Sequence, residues 1–494
     1  MRKILLTLIS LVGLIALVAC GGGHSSSNTP IPPSPSSGNN AGFTNASLTG
    51  IYVFSANGIN SNKNFSYATA GVFTADGAGN ISSGIRDTVN DAGGQTLGET
   101  ITGTYSVNQD GRGQALLNGS SGQVIYHFVM QSSASAKLFQ ISNTSDAVGR
   151  IEIQSAVHSN VFQAAKTYIA RFDGEDTAKN AFGAIGGLTI AGTAVTGTID
   201  ENDAGAFTPQ LAATGTNTSP DTNGRGTLTF TTSSVTHNFI YYWVSPSLIE
   251  LVSTDKNFLI FGHADQQTSI AGTAPDFAGD EVLNISGFTS NGAVAETGRL
   301  TLDGAGNITN AIEDYNDGGV FFPAVTITGS YTVAANGRWT ANLIYPNSTF
   351  GLVGWQVSPS QSTVLSTGSS IANYSVIETG TLSKQTTNLT TTNVTGNYAE
   401  DLSGFFVGSG NVESAGNFLA DGAGNLSGTI DSQTPVTINI DIPQSGLYSV
   451  PANGRAAGSI GGVPVVLYTV DAGTIYMISS DPNRIYQGKM EKQQ

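Results

Sequence analysis

The sequence predicts an all-β chain of four tandem antiparallel meander domains, each of about eight strands closed into a small barrel. Three observations lead there. Segments such as "VTITGSYTV" (325–333) alternate strictly, with Val325, Ile327, Gly329, Tyr331 and Val333 on one face and Thr326, Thr328, Ser330 and Thr332 on the other. That period of two is the mark of a half-buried strand, and β-branched threonine suits its wet face. No segment of any copy sustains a helical period. Finally, one set of markers recurs four times in the same order, and an internal repeat of this kind defines the architecture.

The first marker is the opening, "LTGIY" (48–52) and "VTGNY" (394–398), degenerate around "KTYIA" (166–170) and "NISGF" (284–288). Next comes "ADGAGN" (75–80), repeated at 420–425 and, with Leu302 for the alanine, at 302–307. An aspartate follows, Asp87, Asp200, Asp314 and Asp431, and then "[DN]GR", giving Arg112, Arg225, Arg338 and Arg455. Each copy ends on a Gly with a Gln five residues on: Gly149/Gln154, Gly262/Gln267, Gly380/Gln385 and Gly488/Gln493. The arginines are 113, 113 and 117 residues apart, and the Asp-to-Arg gap is 25, 25, 24 and 24. The domains are therefore 46–155, 166–268, 283–386 and 394–494, joined by polar or small-residue linkers. Solenoid rungs run only about 20–45 residues.

In the first copy strands are expected near 49–57, 67–75, 80–88, 96–108, 112–118, 122–131, 136–142 and 147–154. Eight strands is the number at which an up-and-down sheet closes and fills its interior with side chains, leaving no exposed edge. Each copy is expected to complete its own ladder without backbone bonds to its neighbour. The mid-strand glycines Gly103, Gly215, Gly329 and Gly446 fit sharply curved strands. A two-sheet β-sandwich is the alternative. The opening "LTGxY", the glycine-rich hairpin and the eight-strand meander resemble avidin and lipocalin-type barrels. The chain departs from them in an opening Tyr rather than Trp and in a basic residue after a central hairpin rather than on the last strand.

Arg2, Lys3 and the apolar "ILLTLISLVGLIALV" read as a signal peptide, 1–19. It ends in "LVAC" (17–20), which resembles the lipobox of bacterial lipoproteins. The resemblance implies that Cys20, the sole cysteine, carries the lipid that anchors the chain to a membrane. With Gly21 and Gly22 after it, an outer-membrane location in the cell envelope is implied. No internal disulfide can form. Residues 20–45 are Gly, Ser and Pro rich and read as a disordered tether.

The loops "DGAGN" read as hairpins needing positive φ, not as calcium sites, since each offers one carboxylate and the second copy has "IAGTAV" (190–195) instead. The arginines are the stronger candidates, because four of the ten in the chain stand at the same marker. Two roles are open for them: a plug at one end of the barrel paired with the recurrent Asp, or a bidentate ligand clamp at a barrel mouth. A Tyr stands seven residues before three of them (Tyr105, Tyr331, Tyr448). In "HNFIYYW" (237–243) both faces are apolar, so Asn238, Ile240 and Tyr242 are expected against a neighbouring unit or a partner.

Catalytic chemistry is not indicated. His24 and His158 lie in the tether and a linker, and His127, His237 and His263 in strands at unrelated positions, so no metal spacing arises. Glu201 with Asp203, and Asp314 near Asp317, read as solvated turns. A net charge of −16 with only 11% charged residues argues against nucleic acid. The expectation is a non-enzymatic envelope lipoprotein without cofactor or metal, with a binding or structural role at the cell surface in which four copies would contact a glycan, polymer or protein. The alternatives are a small-molecule carrier using the barrel interiors, or, least of all, a hydrolase.

Overall fold

Alternating strands with Gly-rich turns between them close into four eight-stranded antiparallel barrels in the computed structural model. It describes residues 42–494 apart from 61–62, 64, 143, 158–160, 234, 257, 271 and 435–436. The signal peptide, Cys20, His24, most of the tether and His158 lie outside the described residues. In every barrel each strand pairs with the next in sequence, and the first pairs with the eighth. The sandwich alternative is thereby excluded. Barrel 1 runs over 49–153, barrel 2 over 166–266, barrel 3 over 279–384 and barrel 4 over 395–492. Among the described residues the only helical pieces are three single 3-10 turns.

Each barrel fills its interior with one apolar cluster. In barrel 2 Phe172 stacks on Phe239 at 5.0 Å, with Phe230, Tyr241 and Trp243 in the same cluster. Burying such a side chain stabilises by about 1.5–3 kcal/mol. Phe43, ahead of the first strand, is buried in the core of barrel 1. The opening tyrosines Tyr52, Tyr168 and Tyr398 donate their hydroxyls to Ser133, Pro246 and Ala472 carbonyls across one end of their barrels.

The mid-strand glycines mark where neighbouring strands approach most closely. A Cβ on Gly103, Gly215, Gly329 or Gly446 would lie 1.9, 1.8, 2.3 or 2.2 Å from a carbonyl oxygen of the fifth strand. The terminal glycines Gly149, Gly262, Gly380 and Gly488 do the same at the closing seam, at 1.8–2.1 Å from the first strand.

The barrels do not stand apart on linkers, as the sequence suggested. Their outer walls are also apolar and pack on one another. Val53, Ala68, Val72 and Val89 of barrel 1 meet Ile240, Tyr242, Val244 and Val252 of barrel 2. Ile169 and Ile185 meet Val353, Trp355 and Leu365 between barrels 2 and 3, and Val282 and Ala295 meet Val466, Tyr468 and Ile478 between barrels 3 and 4. A fourth cluster joins Val129 and Phe139 of barrel 1 to Ala399 and Ala415 of barrel 4. The contacts therefore run 1–2, 2–3, 3–4 and 4–1, which closes the four barrels into a ring. The second face of "HNFIYYW" is one of these walls.

Gly215→Ala should lower unfolding stability by about 2–3 kcal/mol through overpacking, read as a drop in thermal midpoint. Gly272→Ala, whose Cβ would meet nothing closer than 3.9 Å, should stay within about 0.5 kcal/mol of the parent.

Candidate functional site

The recurrent aspartate sits on the third strand of each barrel, at a β-bulge in all four copies. The bulge turns its side chain outward into the wall between barrels, where Asp87, Asp200 and Asp314 are 0% exposed and Asp431 2%. A residue of the fourth strand donates its backbone N–H to the carboxylate: Gly98 at 2.7 Å, Gln210 at 3.0 Å, Ala324 at 2.9 Å and Asp441 at 2.8 Å. All four donors have positive φ, at 66°, 52°, 50° and 57°. Three of them are not glycine, so the backbone is held in a costly region to make this bond.

The arginine that completes the pair comes from the next barrel, not the same one. Arg225 binds Asp87 through Nε at 2.7 Å and Nη2 at 2.9 Å. Arg338 binds Asp200 at 3.0 and 2.8 Å, and Arg455 binds Asp314 at 2.6 and 2.6 Å. These are fork-on-carboxylate pairs, the strongest geometry for such a bond. The strand partner of each arginine adds a third donor to the same carboxylate: Tyr242 hydroxyl at 2.5 Å, Trp355 Nε1 at 2.8 Å and Tyr468 hydroxyl at 2.6 Å. Hydrogen bonding to Asp87 and Asp314 raises the pKa of Arg225 and Arg455, while burial and the adjacent carboxylate push the Tyr242 and Tyr468 hydroxyls up. The arginines thus lie between barrels, and neither the within-barrel plug nor a barrel mouth describes their position.

The first arginine closes the circle differently. Arg112 reaches Asp431 of barrel 4 through Nη1 at 3.0 Å, shares that nitrogen with Asp441 at 2.7 Å, and gives Nε to Asp110 at 2.9 Å. Val129 stands where the other barrels place an aromatic donor, and His127 Nδ1 lies 2.8 Å from Asp431 instead. Burial raises the Asp431 pKa, but the His127 bond and the Arg112 charge outweigh it and hold the carboxyl below its ordinary value.

The terminal glutamines form a second set of links. Gln154, Gln267 and Gln385 donate Nε2 to two carbonyls of the next barrel, Trp243, Gln356 and Thr469 among them, at 2.7–2.8 Å. Gln493 reaches back to Met130 of barrel 1 at 2.7 Å. Each lies against the Gly of "[DN]GR": a Cβ on Gly224 would be 2.3 Å from Gln154 Nε2. One residue on, Ser155, Thr268, Thr386 and Gln494 donate backbone N–H groups to the next barrel, each at 2.8 Å. Backbone bonds therefore do cross between copies, contrary to the sequence expectation.

The "DGAGN" loops are hairpins between the second and third strands. Asp76 Oδ1 accepts the Ala78 and Asn80 N–H groups and Oδ2 accepts Asn80 Nδ2; Asp303 and Asp421 repeat this pattern. Gly77 and Gly79 take φ of 78° and 108°. Hydrogen bonds from Asn425 and its neighbours hold the Asp421 carboxyl at about 2. Tyr331 and Tyr448 accept from Gly304 and Gly422 in these loops and donate to the chain ahead of the first strand. Tyr105 donates to Leu48 and Asn45 in the same place. The supposed turn carboxylates are strand residues instead: Glu201 lies in Ala194–Asp203, and Asp314 and Asp317 lie in Asn307–Asp317 at 0% and 8% exposed. Among the described residues no cluster of three or more His, Cys, Asp or Glu has a metal-holding arrangement.

All four barrels wall one cavity of about 650 Å³. Each contributes the end of its first strand, around Gly58, Gly174, Gly287 and Gly404. Phe182, Phe288, Phe405 and Tyr486 supply aromatic surface, with Phe288 edge-on to Phe405 at 5.6 Å and 44% exposed. Arg171, Asp173, Thr379 and Gln487 supply polar groups. Arg171 is held by Asp173 at 2.8 Å and by Thr379 of barrel 3 at 2.8 Å. Arg171 also faces a charged layer in which Arg150 and Lys489 act on His263; burial first, then these cations, depress the His263 pKa far below its ordinary value. Burial likewise raises Asp265 to about 6 and Glu152 to about 7.

No protein-family model matches the chain, and no curated protein sequence matches it. The chain has distant similarity to solved structures. Intact Ap-TbpB, with N and C lobes, is 12% identical over 72% of this chain and 84% of its own, at a TM-score of 0.18. The isotype 1 transferrin binding protein B from serogroup B Neisseria meningitidis is 9% identical over 73% and 84%, also at 0.18. The chain's own geometry defines a class: an all-β ring of four barrels around a shared cavity.

Arg338→Ala leaves Asp200 buried with two donors instead of four and should cost about 3 kcal/mol in denaturant unfolding, near the low end for a broken buried pair. Asp200→Ala combined with Arg338→Ala should cost clearly less than the sum of the singles. At the 4–1 seam the lowered Asp431 pKa contributes stability above its unfolded value of about 3.9, and this is lost as pH falls through the folded value. The protection of the Asp441 amide, its exchange corrected for the intrinsic rate, should therefore fall as pH drops below about 4.

Proposed function

We propose that this chain is a non-catalytic binding protein of the cell envelope, anchored through lipid at Cys20, and that the axial cavity is its ligand site. One observation carries the reading. A cavity of about 650 Å³ is walled by all four barrels at once, whereas the interior of barrel 2 leaves only about 10 Å³. A cavity of this size with aromatic walls and a few polar groups is what small-ligand and chain-end recognition uses. The Arg–Asp clasps take a structural role in this reading, since Arg225, Arg338 and Arg455 each turn Nε and Nη2 onto a carboxylate of a neighbouring barrel.

The ring replaces avidity as the reason for four copies: no single barrel contains the site. Phe288 and Phe405 at its edge favour a ligand with an apolar or sugar-ring face, and the Arg171 layer favours polar atoms beneath it. A glycan or a protein chain end satisfies both. The lipid at Cys20 is supported by "LVAC" alone and places the ring near a membrane.

Ser403 lines the cavity without entering any clasp. Ser403→Trp should fill it. A glycan and peptide screen on the mature four-barrel chain should yield a binder that this variant loses while its thermal midpoint stays within a few degrees. A binder that the filled variant retains would refute the axial site. Cys20→Ser should shift the chain from the membrane to the soluble fraction; unchanged membrane association would refute the anchor.

A further inference from the structure

Barrel 3 differs from the others in what its interior holds. Glu296, Glu313 and Glu378 come from its second, third and eighth strands and are 8%, 0% and 0% exposed. Glu296 and Glu313 lie within hydrogen-bond reach of each other, and Glu313 also accepts from the Tyr345 hydroxyl. Glu378 has no partner for either carboxylate oxygen. Asp317 faces the same group but is satisfied by Thr289 at 2.6 Å, Asn291 at 2.7 Å and Tyr374 at 2.8 Å. The charged groups that act most on Glu296 and Glu378 are themselves acidic: Glu313 and Asp317 on both, and Glu378 on Glu296.

The other barrels show what this position ordinarily contains. One residue before the recurrent aspartate stand Arg86, Ile199, Glu313 and Ile430. Ile199 and Ile430 pack in their cores. Arg86 is a cation with its own counter-charge, bound to Glu99 through Nε at 3.1 Å and Nη2 at 2.6 Å. Two residues before the terminal glycine, Ala147 and Ile260 are core residues where barrel 3 has Glu378. Barrel 3 thus has a carboxylate, Glu313, at the place of that cation, and Val325 at the place of Glu99. Partly exposed Tyr315, Tyr345 and Tyr374 stand around the group, with Tyr315 stacked on Phe322 at 4.5 Å. Ring faces beside carboxylates suit an organic cation.

The geometry points to a binding site in barrel 3 for a small organic cation, an alkylammonium or guanidinium head, held by Glu378 and the Glu296–Glu313 pair beneath the tyrosine rim. The bound cation would supply these carboxylates with the counter-charge that Arg86 gives Glu99 in barrel 1. This site is separate from the axial cavity and does not depend on the reading of that cavity.

Burial raises these carboxyls, Glu313 to about 7, and repulsion from neighbouring acids adds to it at Glu296 and Glu378. A carboxyl whose folded pKa is raised destabilises the fold as pH climbs through that value, and a bound cation restores what is lost. The full mature chain should therefore gain thermal stability from putrescine or methylammonium chloride at pH 8.5, beyond sodium chloride at equal ionic strength. The gain should shrink at pH 5. Glu378→Gln should weaken amine binding at least tenfold by calorimetry and raise the amine-free midpoint at pH 8.5; Glu296→Gln should act in the same direction. No amine effect beyond sodium chloride would overturn the site. Stabilisation by calcium chloride exceeding that by the amines would overturn the assignment to an organic cation. An amine effect undiminished in both variants would place binding elsewhere and overturn it as well.

Discussion

A carboxylate buried in the wall between two barrels is the constraint on which the ring depends. Alone, a barrel offers that carboxylate one backbone N–H, and an ion left so poorly matched on closure would be costly. The next barrel supplies the guanidinium fork and, in three of four cases, an aromatic donor. Neighbouring barrels therefore cannot pack in another register without stranding a charge. The apolar walls supply adhesion, which is non-directional; the clasp supplies orientation. Several otherwise unrelated features serve this one bond: the bulge at each aspartate, the left-handed residue ten or eleven positions on, and the arginine after the tight hairpin.

Much of the fold was legible because its causes are local. Period-two alternation and Gly turns placed all eight strands of barrel 1 within a few residues, and the repeat made the other three follow. The clasp was half legible. Asp and Arg stood out as markers, but their pairing did not, because the in-copy gap of 24–25 residues and the between-copy separation of 138–141 are equally regular. Repetition alone cannot say which is the contact. Trp355 and Tyr468 escaped notice, and Tyr242 was read only as part of an apolar wall, because the three share a position and a donor rather than a residue type. Glu201, Asp314 and Asp317 were misread as turns because acidic residues usually mark solvent; here the strand simply continues through them. The cavity was not legible at all, since its walls come from four segments each more than a hundred residues apart.

The ring is symmetric in plan and asymmetric in detail, and the differences fall where function would put them. Three junctions join barrels consecutive in sequence. The fourth joins the two ends of the folded chain, and it has the smallest apolar cluster, a histidine for the aromatic donor and an arginine shared among three carboxylates. It is the junction held most by charge. The cavity wall is likewise uneven, with Arg171 from barrel 2 and the Phe288–Phe405 pair from barrels 3 and 4. Barrel 3 gathers three buried carboxylates in its interior. Four equal scaffolds thus support sites that are not equal.

Closure of the ring is tested most directly by spin-label distances in the mature chain. Labels on the outer strands of barrels 1 and 4 should give a distribution as short and narrow as labels at the matching positions of barrels 1 and 2. A long, broad distribution for the 1–4 pair, with the 1–2 pair unchanged, would mean four barrels strung in a line and would contradict the ring and the cavity it encloses.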